Sequence, residues 1–98
     1  MTKALIPEWT NEAISDLRAI YNHLLEWNSE RSAQKIIDEI SKAPNGILFG
    51  DQFQIDEYSI NFRRIIIRNY KILYYFNTES IVIVAVFNTR RNPSKLRR

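Results

Sequence analysis

Between Phe62 and Phe87 the chain is dominated by β-branched and aromatic residues, cut into three runs by links of only two and four residues. The runs cover roughly 62–67, 70–76 and 81–87. Arg68-Asn69 and Asn77-Thr78-Glu79-Ser80 separate them and supply turn-forming residues. Parallel neighbours need a crossover of about a dozen residues or more, so links this short leave only an antiparallel meander.

The N-terminal half has a different period. Thr10 is a candidate N-cap with Glu12 in the first turn, and Ala13, Leu17, Ile20, Tyr21 and Leu24 recur at helical spacing. This predicts an amphipathic helix over about 10–27. Asn28 or Ser29 caps a second helix whose stripe is Ala33, Ile36, Ile37, Ile40 and Ala43, stopped by Pro44-Asn45-Gly46. The short link makes the two helices an antiparallel hairpin. Residues 3–6 are apolar, stop at Pro7 and read as an edge strand. Residues 47–60 read as an irregular connection with a turn at Gly50-Asp51 and a short strand near 55–58. The order is β-α-α-β-β-β: an α+β fold, a helical hairpin packed on a small twisted antiparallel sheet, in one domain over 1–98.

If Arg68-Asn69 is a two-residue hairpin loop, Ile67 faces Tyr70, Ile65 faces Ile72 and Arg63 faces Tyr74. That side is mostly apolar and suits the helices. Arg64, Ile66, Lys71, Leu73 and Tyr75 share the other side, joined in regular alternation by Val82, Val84 and Val86. Exposed Arg and Lys beside Tyr supply charge, a bidentate fork and a stacking surface for phosphate or carboxylate. A solvated sheet face whose charges discourage edge pairing is the alternative.

Charge is segregated along the chain. Residues 1–60 hold five Lys/Arg and ten Asp/Glu, a balance of −5. Residues 61–98 hold nine Lys/Arg against Glu79 alone, a balance of +8. A positive surface of this kind favours nucleic acid or an acidic protein segment, unless the halves neutralise each other across the fold.

Other classes drop out. There is no cysteine and one histidine, His23, so thiol chemistry, disulfides and His-rich metal clusters are excluded. Gly46 and Gly50 are the only glycines, too few for a phosphate loop. No metal or cofactor is expected. No apolar run reaches the roughly 18 residues of a membrane span, and the first residues lack a signal-peptide core, so a cytoplasmic protein without a membrane partner is expected. His23 reads as a surface histidine, Trp9 and Trp27 as packing residues flanking the first helix, and Glu8, Glu12 and Asp16 as a solvated helix face.

Three ordered segments resemble one family. The run from Phe62-Arg63-Arg64 through Arg68-Asn69-Tyr70-Lys71 to Tyr74-Tyr75, the closing Val86-Phe87-Asn88-Thr89-Arg90-Arg91-Asn92-Pro93-Ser94-Lys95-Leu96, and the opening Trp9-Thr10-Asn11-Glu12-Ala13 with Asp16-Leu17 and Ile20-Tyr21 are similar to stretches of the RelE/ParE toxin superfamily. The resemblance covers nearly the whole chain. It implies the toxin of a bacterial type II toxin–antitoxin system, a plasmid stabilisation protein held inactive by a cognate antitoxin with a flexible, often acidic segment. One departure is Arg68, where relatives commonly have Gly. A positive φ there is costly, which predicts a longer turn or one of another type.

The superfamily implies two activities. ParE-like members poison DNA gyrase without catalysis, and the Asn-Pro-x-x-Leu ending at Asn92–Leu96 resembles theirs more closely. RelE-like members are ribosome-dependent mRNA endoribonucleases, which must activate a 2′-hydroxyl, stabilise phosphate charge and protonate the leaving oxygen. By resemblance Lys71 and Arg90 would be the catalytic or phosphate-binding residues, with Arg64 assisting. The tail has no Tyr or His where several of those nucleases carry one. For either target, Arg64, Lys71, Tyr75, Arg90 and Arg91 are the expected binding residues. A third reading is a nucleic-acid-binding α+β domain unrelated to toxins.

Overall fold

Thr10 and Ser29 start the two helices. Each sits in extended backbone and turns its oxygen onto an N–H in the first turn: Thr10 Oγ1 accepts from Ala13 and Ser29 Oγ from Ser32, both at 3.2 Å. These caps satisfy donors that have no partner inside a helix. The computed structural model describes residues 6–90. Helix α1 spans Asn11–Leu24 and α2 spans Glu30–Lys42. α1 stops short of the predicted 27, because Asn28 Nδ2 donates to Leu24 O at 3.0 Å and closes the chain into a turn. Trp27, expected to pack, is left 79% exposed on that turn. Trp9 does pack against the core. Pro44 heads a single 3-10 turn, Ala43–Gly46, after α2.

Four strands form, β1 Ile6–Trp9, β2 Arg63–Ile67, β3 Tyr70–Phe76 and β4 Ser80–Asn88, in the spatial order β1-β4-β3-β2, and the last three follow the predicted positions. The last three form the antiparallel meander. β1 pairs with β4 in parallel, so the sheet is mixed rather than wholly antiparallel. The rest of the domain lies between these two strands in sequence, ample length for a parallel crossover. β1 runs through Pro7 instead of ending before it, and residues 3–5 of the expected strand lie outside the described residues. An edge strand tolerates proline because only one side of it needs ladder donors. The 47–62 connection holds a 3-10 turn at Gly50–Gln52 and, in place of a strand at 55–58, a single bridge between Ile55 and Arg63.

The hairpin register is the predicted one, with Ile67 opposite Tyr70, Ile65 opposite Ile72 and Arg63 opposite Tyr74. Ile65, Tyr70, Ile72 and Tyr74 meet Ala13 and Ile40 of the helices and Ile47 in the main core. The β3–β4 pairing breaks regular alternation. Leu73 faces Ala85 while Tyr74 faces Ile83, so Val84 is an extra residue in a bulge. Val86, expected on the far side, is thereby turned into the main core beside Ile81 and Ile83. Its N–H donates to Asp16 Oδ2 at 3.0 Å, so Asp16 anchors α1 to the bulged strand and is not merely part of a solvated acidic face.

Arg68 adopts φ 55° and the two-residue turn is kept, so of the two alternatives, a longer turn or one of another type, the longer turn is not formed. Its Nε (3.1 Å) and a terminal nitrogen (2.5 Å) both reach Glu39 Oε2 on α2. Arg68→Gly is expected to change stability by less than about 1 kcal/mol, because relief of left-handed strain offsets loss of a half-exposed ion pair. In a Glu39→Gln background the same substitution should raise the urea midpoint. A lower midpoint there would refute the strain argument. Among the described residues no helix is long and apolar enough to cross a membrane.

Candidate functional site

The sheet face turned away from the helices carries Arg64 and Lys71, and the 53–62 connection folds back over it. Arg64 N donates to Gln54 O at 3.0 Å and Asp56 N to Phe62 O at 2.9 Å, so this segment lies along β2 by backbone hydrogen bonds. Arg63 Nη1 donates to Phe53 O at 2.7 Å, and Arg64 Nη2 to Gln54 Oε1 at 3.1 Å. Beneath it, Leu73, Ala85 and Phe87 make a second small core flanked by Phe62 and Val84.

Asp56 is the centre of this arrangement. Its side chain is 1% exposed and its Oδ2 accepts from Tyr58 N at 3.0 Å and Ser59 N at 2.8 Å. Its Oδ1 lies 2.6 Å from Lys71 Nζ, itself on a side chain only 4% exposed. No donor other than Lys71 completes Oδ1. Arg64 adds a second cation at 3.9 Å. The Lys71 ammonium also lies between two rings, 5.2 Å from the centroid of Tyr58 and 5.7 Å from that of Phe87.

Lys71, expected as an exposed phosphate contact, is therefore buried and paired. Burial pushes the Asp56 carboxyl up, but the Lys71 ammonium and the N–H groups of Tyr58 and Ser59 outweigh it, leaving Asp56 below the ordinary carboxylate range. A carboxyl whose folded pKa is depressed adds stability above its unfolded pKa of about 3.9, and loses it as pH falls through the folded value. The urea midpoint is expected to drop as pH is lowered from about 6 towards 3, and to drop less in Asp56→Asn. Equal slopes for both proteins would remove Asp56 as a source of acid sensitivity.

Arg64, Lys71 and Tyr75 share this face as expected, and the Tyr75 ring packs 6.4 Å from Phe62 while staying 44% exposed. Arg90 is not joined to Lys71. It lies exposed in the turn after β4, its N–H donating to Asn88 Oδ1 at 2.8 Å, next to where Thr89 N–H reaches Asn69 O. The Arg90 guanidinium makes no ion pair or hydrogen bond with the described residues. Arg91 lies outside them. Asp56 is the residue that sequence reasoning missed. Asp56-Glu57-Tyr58-Ser59 has the composition of an Asx turn, which signals the local bonds but not the distant lysine.

A family model for the ParE toxin of type II toxin-antitoxin system, parDE, matches residues 8–93. The chain belongs to this family. Its fold is shared with a chain described as the chromosomal ParDE TA system from P. aeruginosa. That match has a TM-score of 0.76 and 18% identity, covering 89% of this chain and 98% of that one. It is also similar to a chain of the RelB-RelE antitoxin-toxin complex from Methanococcus jannaschii. There the TM-score is 0.51 and the identity 24%, covering 90% and 96% of the two chains. No curated protein matches the chain significantly in sequence. As a ParE-family toxin, it carries Asp56, Arg64, Lys71, Tyr75, Arg90 and Arg91 all inside the matched span.

Proposed function

We propose that this ParE-family toxin acts in the cytoplasm by binding and inhibiting DNA gyrase, and that a cognate antitoxin neutralises it. The observation that carries this reading is the pairing of Lys71 with Asp56 between the rings of Tyr58 and Phe87. A ribonuclease at this face needs a basic group free to meet phosphate or move a proton. Lys71 is closed off from that work, and Arg90 stands apart from it. What the face offers a partner is shape and positive charge, with Arg64 and Tyr75 as contact residues and Arg90 and Arg91, which follow β4 in sequence, as further contact candidates. The segregated charge of residues 61–98 suits an acidic antitoxin segment as well.

The test is a pair of assays on purified toxin. Gyrase supercoiling should be blocked, with relief on adding the product of the neighbouring antitoxin gene, while mRNA on programmed ribosomes stays intact. Ribosome-dependent cleavage that disappears in Arg90→Ala would replace this reading with the RelE-like one.

A further inference from the structure

At the end of the sheet far from Arg90, four large, partly exposed hydrophobic residues border one hollow. Ile60 (75% exposed), Ile55 (52%), Tyr75 (44%) and Phe76 (40%) line an open cavity of about 220 Å³ together with Phe62 and Arg63. Singly exposed apolar residues are ordinary, but several around one concavity mark an interaction site. The hollow is smaller than the roughly 300–1,000 Å³ of small-molecule pockets, and suits a single large side chain better.

The walls are already set. The Phe76 ring lies on Gly50, where a Cβ would come within 2.0 Å of it. Tyr74 donates its hydroxyl to Gly50 O at 2.9 Å, tying the Gly50 turn to β3. The Arg63 guanidinium sits 5.6 Å from the Phe76 centroid with one nitrogen on Phe53 O. Its remaining N–H groups have no acceptor among the described residues. A cation with open donors at the rim of an apolar hollow selects an apolar anchor with a carboxylate beside it.

We propose that this hollow is an anchor socket for the antitoxin, taking one large apolar side chain while an adjacent carboxylate binds Arg63. The proposal rests on the antitoxin reading above. Charge argues against two copies meeting hollow to hollow: no acidic residue lines the hollow, so that contact would set Arg63 against Arg63.

The experiment titrates the purified product of the adjacent antitoxin gene with wild-type toxin, Ile60→Asp and Gly50→Ala, alongside thermal melts of each. Ile60 is exposed, so Ile60→Asp should melt like wild type yet bind at least about 30-fold more weakly, as loss of a hot-spot contact does. Gly50→Ala should displace the Phe76 wall and weaken binding in the same direction. Tight wild-type binding left unchanged by Ile60→Asp overturns the socket alone. A wild-type toxin that ignores the antitoxin overturns the antitoxin reading and the socket with it. Dimerisation of free toxin abolished by Ile60→Asp, with antitoxin affinity unchanged, assigns the hollow to a second copy and overturns the proposal.

Discussion

Lys71→Met is expected to lower the melting temperature by more than about 10 °C, and adding Asp56→Asn, which keeps an oxygen for the Tyr58 and Ser59 N–H groups, is expected to recover most of the loss. Both partners are almost fully buried, 2.6 Å apart. Removing one charge leaves the other uncompensated in a dry environment, which typically costs about 3–5 kcal/mol. A domain of this size has only about 5–15 kcal/mol of stability, and each kcal/mol moves its midpoint by about 4–8 °C. Neutralising both partners removes the desolvation penalty together with the attraction and is commonly close to neutral, while the amide oxygen of Asp56→Asn still accepts from Tyr58 and Ser59 N–H. Melts followed by circular dichroism decide the matter. A single variant that loses under about 1 kcal/mol would mean that the pair behaves as a solvated one.

This result also controls how activity data on Lys71 are read. Loss of toxicity in Lys71→Ala is ambiguous, since the variant is expected to be largely destabilised. The Lys71→Met/Asp56→Asn double variant separates folding from chemistry. Gyrase inhibition retained in the double variant would make Lys71 a structural residue of the face. Inhibition lost in a well-folded double variant would return it to the binding machinery.

The second large effect concerns β4. Val86→Lys is expected to prevent folding, while Val82→Lys is expected to leave a folded protein. Regular alternation puts Val82 and Val86 on one face, and would have both substitutions behave alike. The bulge at Val84 separates them. Val86 is 2% exposed in the main core, its amide held by Asp16, whereas Val82 faces Tyr75 at the half-buried far side. An ammonium forced into the site of Val86 must leave water for the main core, where the one carboxylate shown beside it, Asp16, already accepts from the Val86 N–H; that costs several kcal/mol against a marginal total. Soluble expression and amide dispersion in NMR spectra compare the two directly. A folded Val86→Lys protein would show that the bulge is not required.

Several elements were legible because their causes are local. Thr10 and Ser29 announce helix starts by capping chemistry, and the two-residue link at Arg68-Asn69 dictates which residues of β2 and β3 face one another. The core side of that hairpin follows directly. Arg68 shows where a local rule is overridden: the left-handed strain is real, yet closing the hairpin and reaching Glu39 sustain it. The first helix ends at Leu24, short of the predicted 27: apolar spacing continues past the point where Asn28 turns the chain. The site was half legible. Arg64, Lys71 and Tyr75 were correctly assigned to one face, but a shared face does not say what lies over it.

The sequence by itself determined the element types, the β2–β3 register, the segregation of charge and the family likeness, because periodicity, caps and short links act between near neighbours. Tertiary structure alone decided three things: the parallel place of β1, the bulge that turns Val86 inward, and the closure of Asp56 on Lys71. Each depends on groups distant in the chain arriving at one place. A lysine ammonium on its long stem meets either water or a carboxylate according to where the 53–62 connection settles, and backbone bonds to β2 settle it.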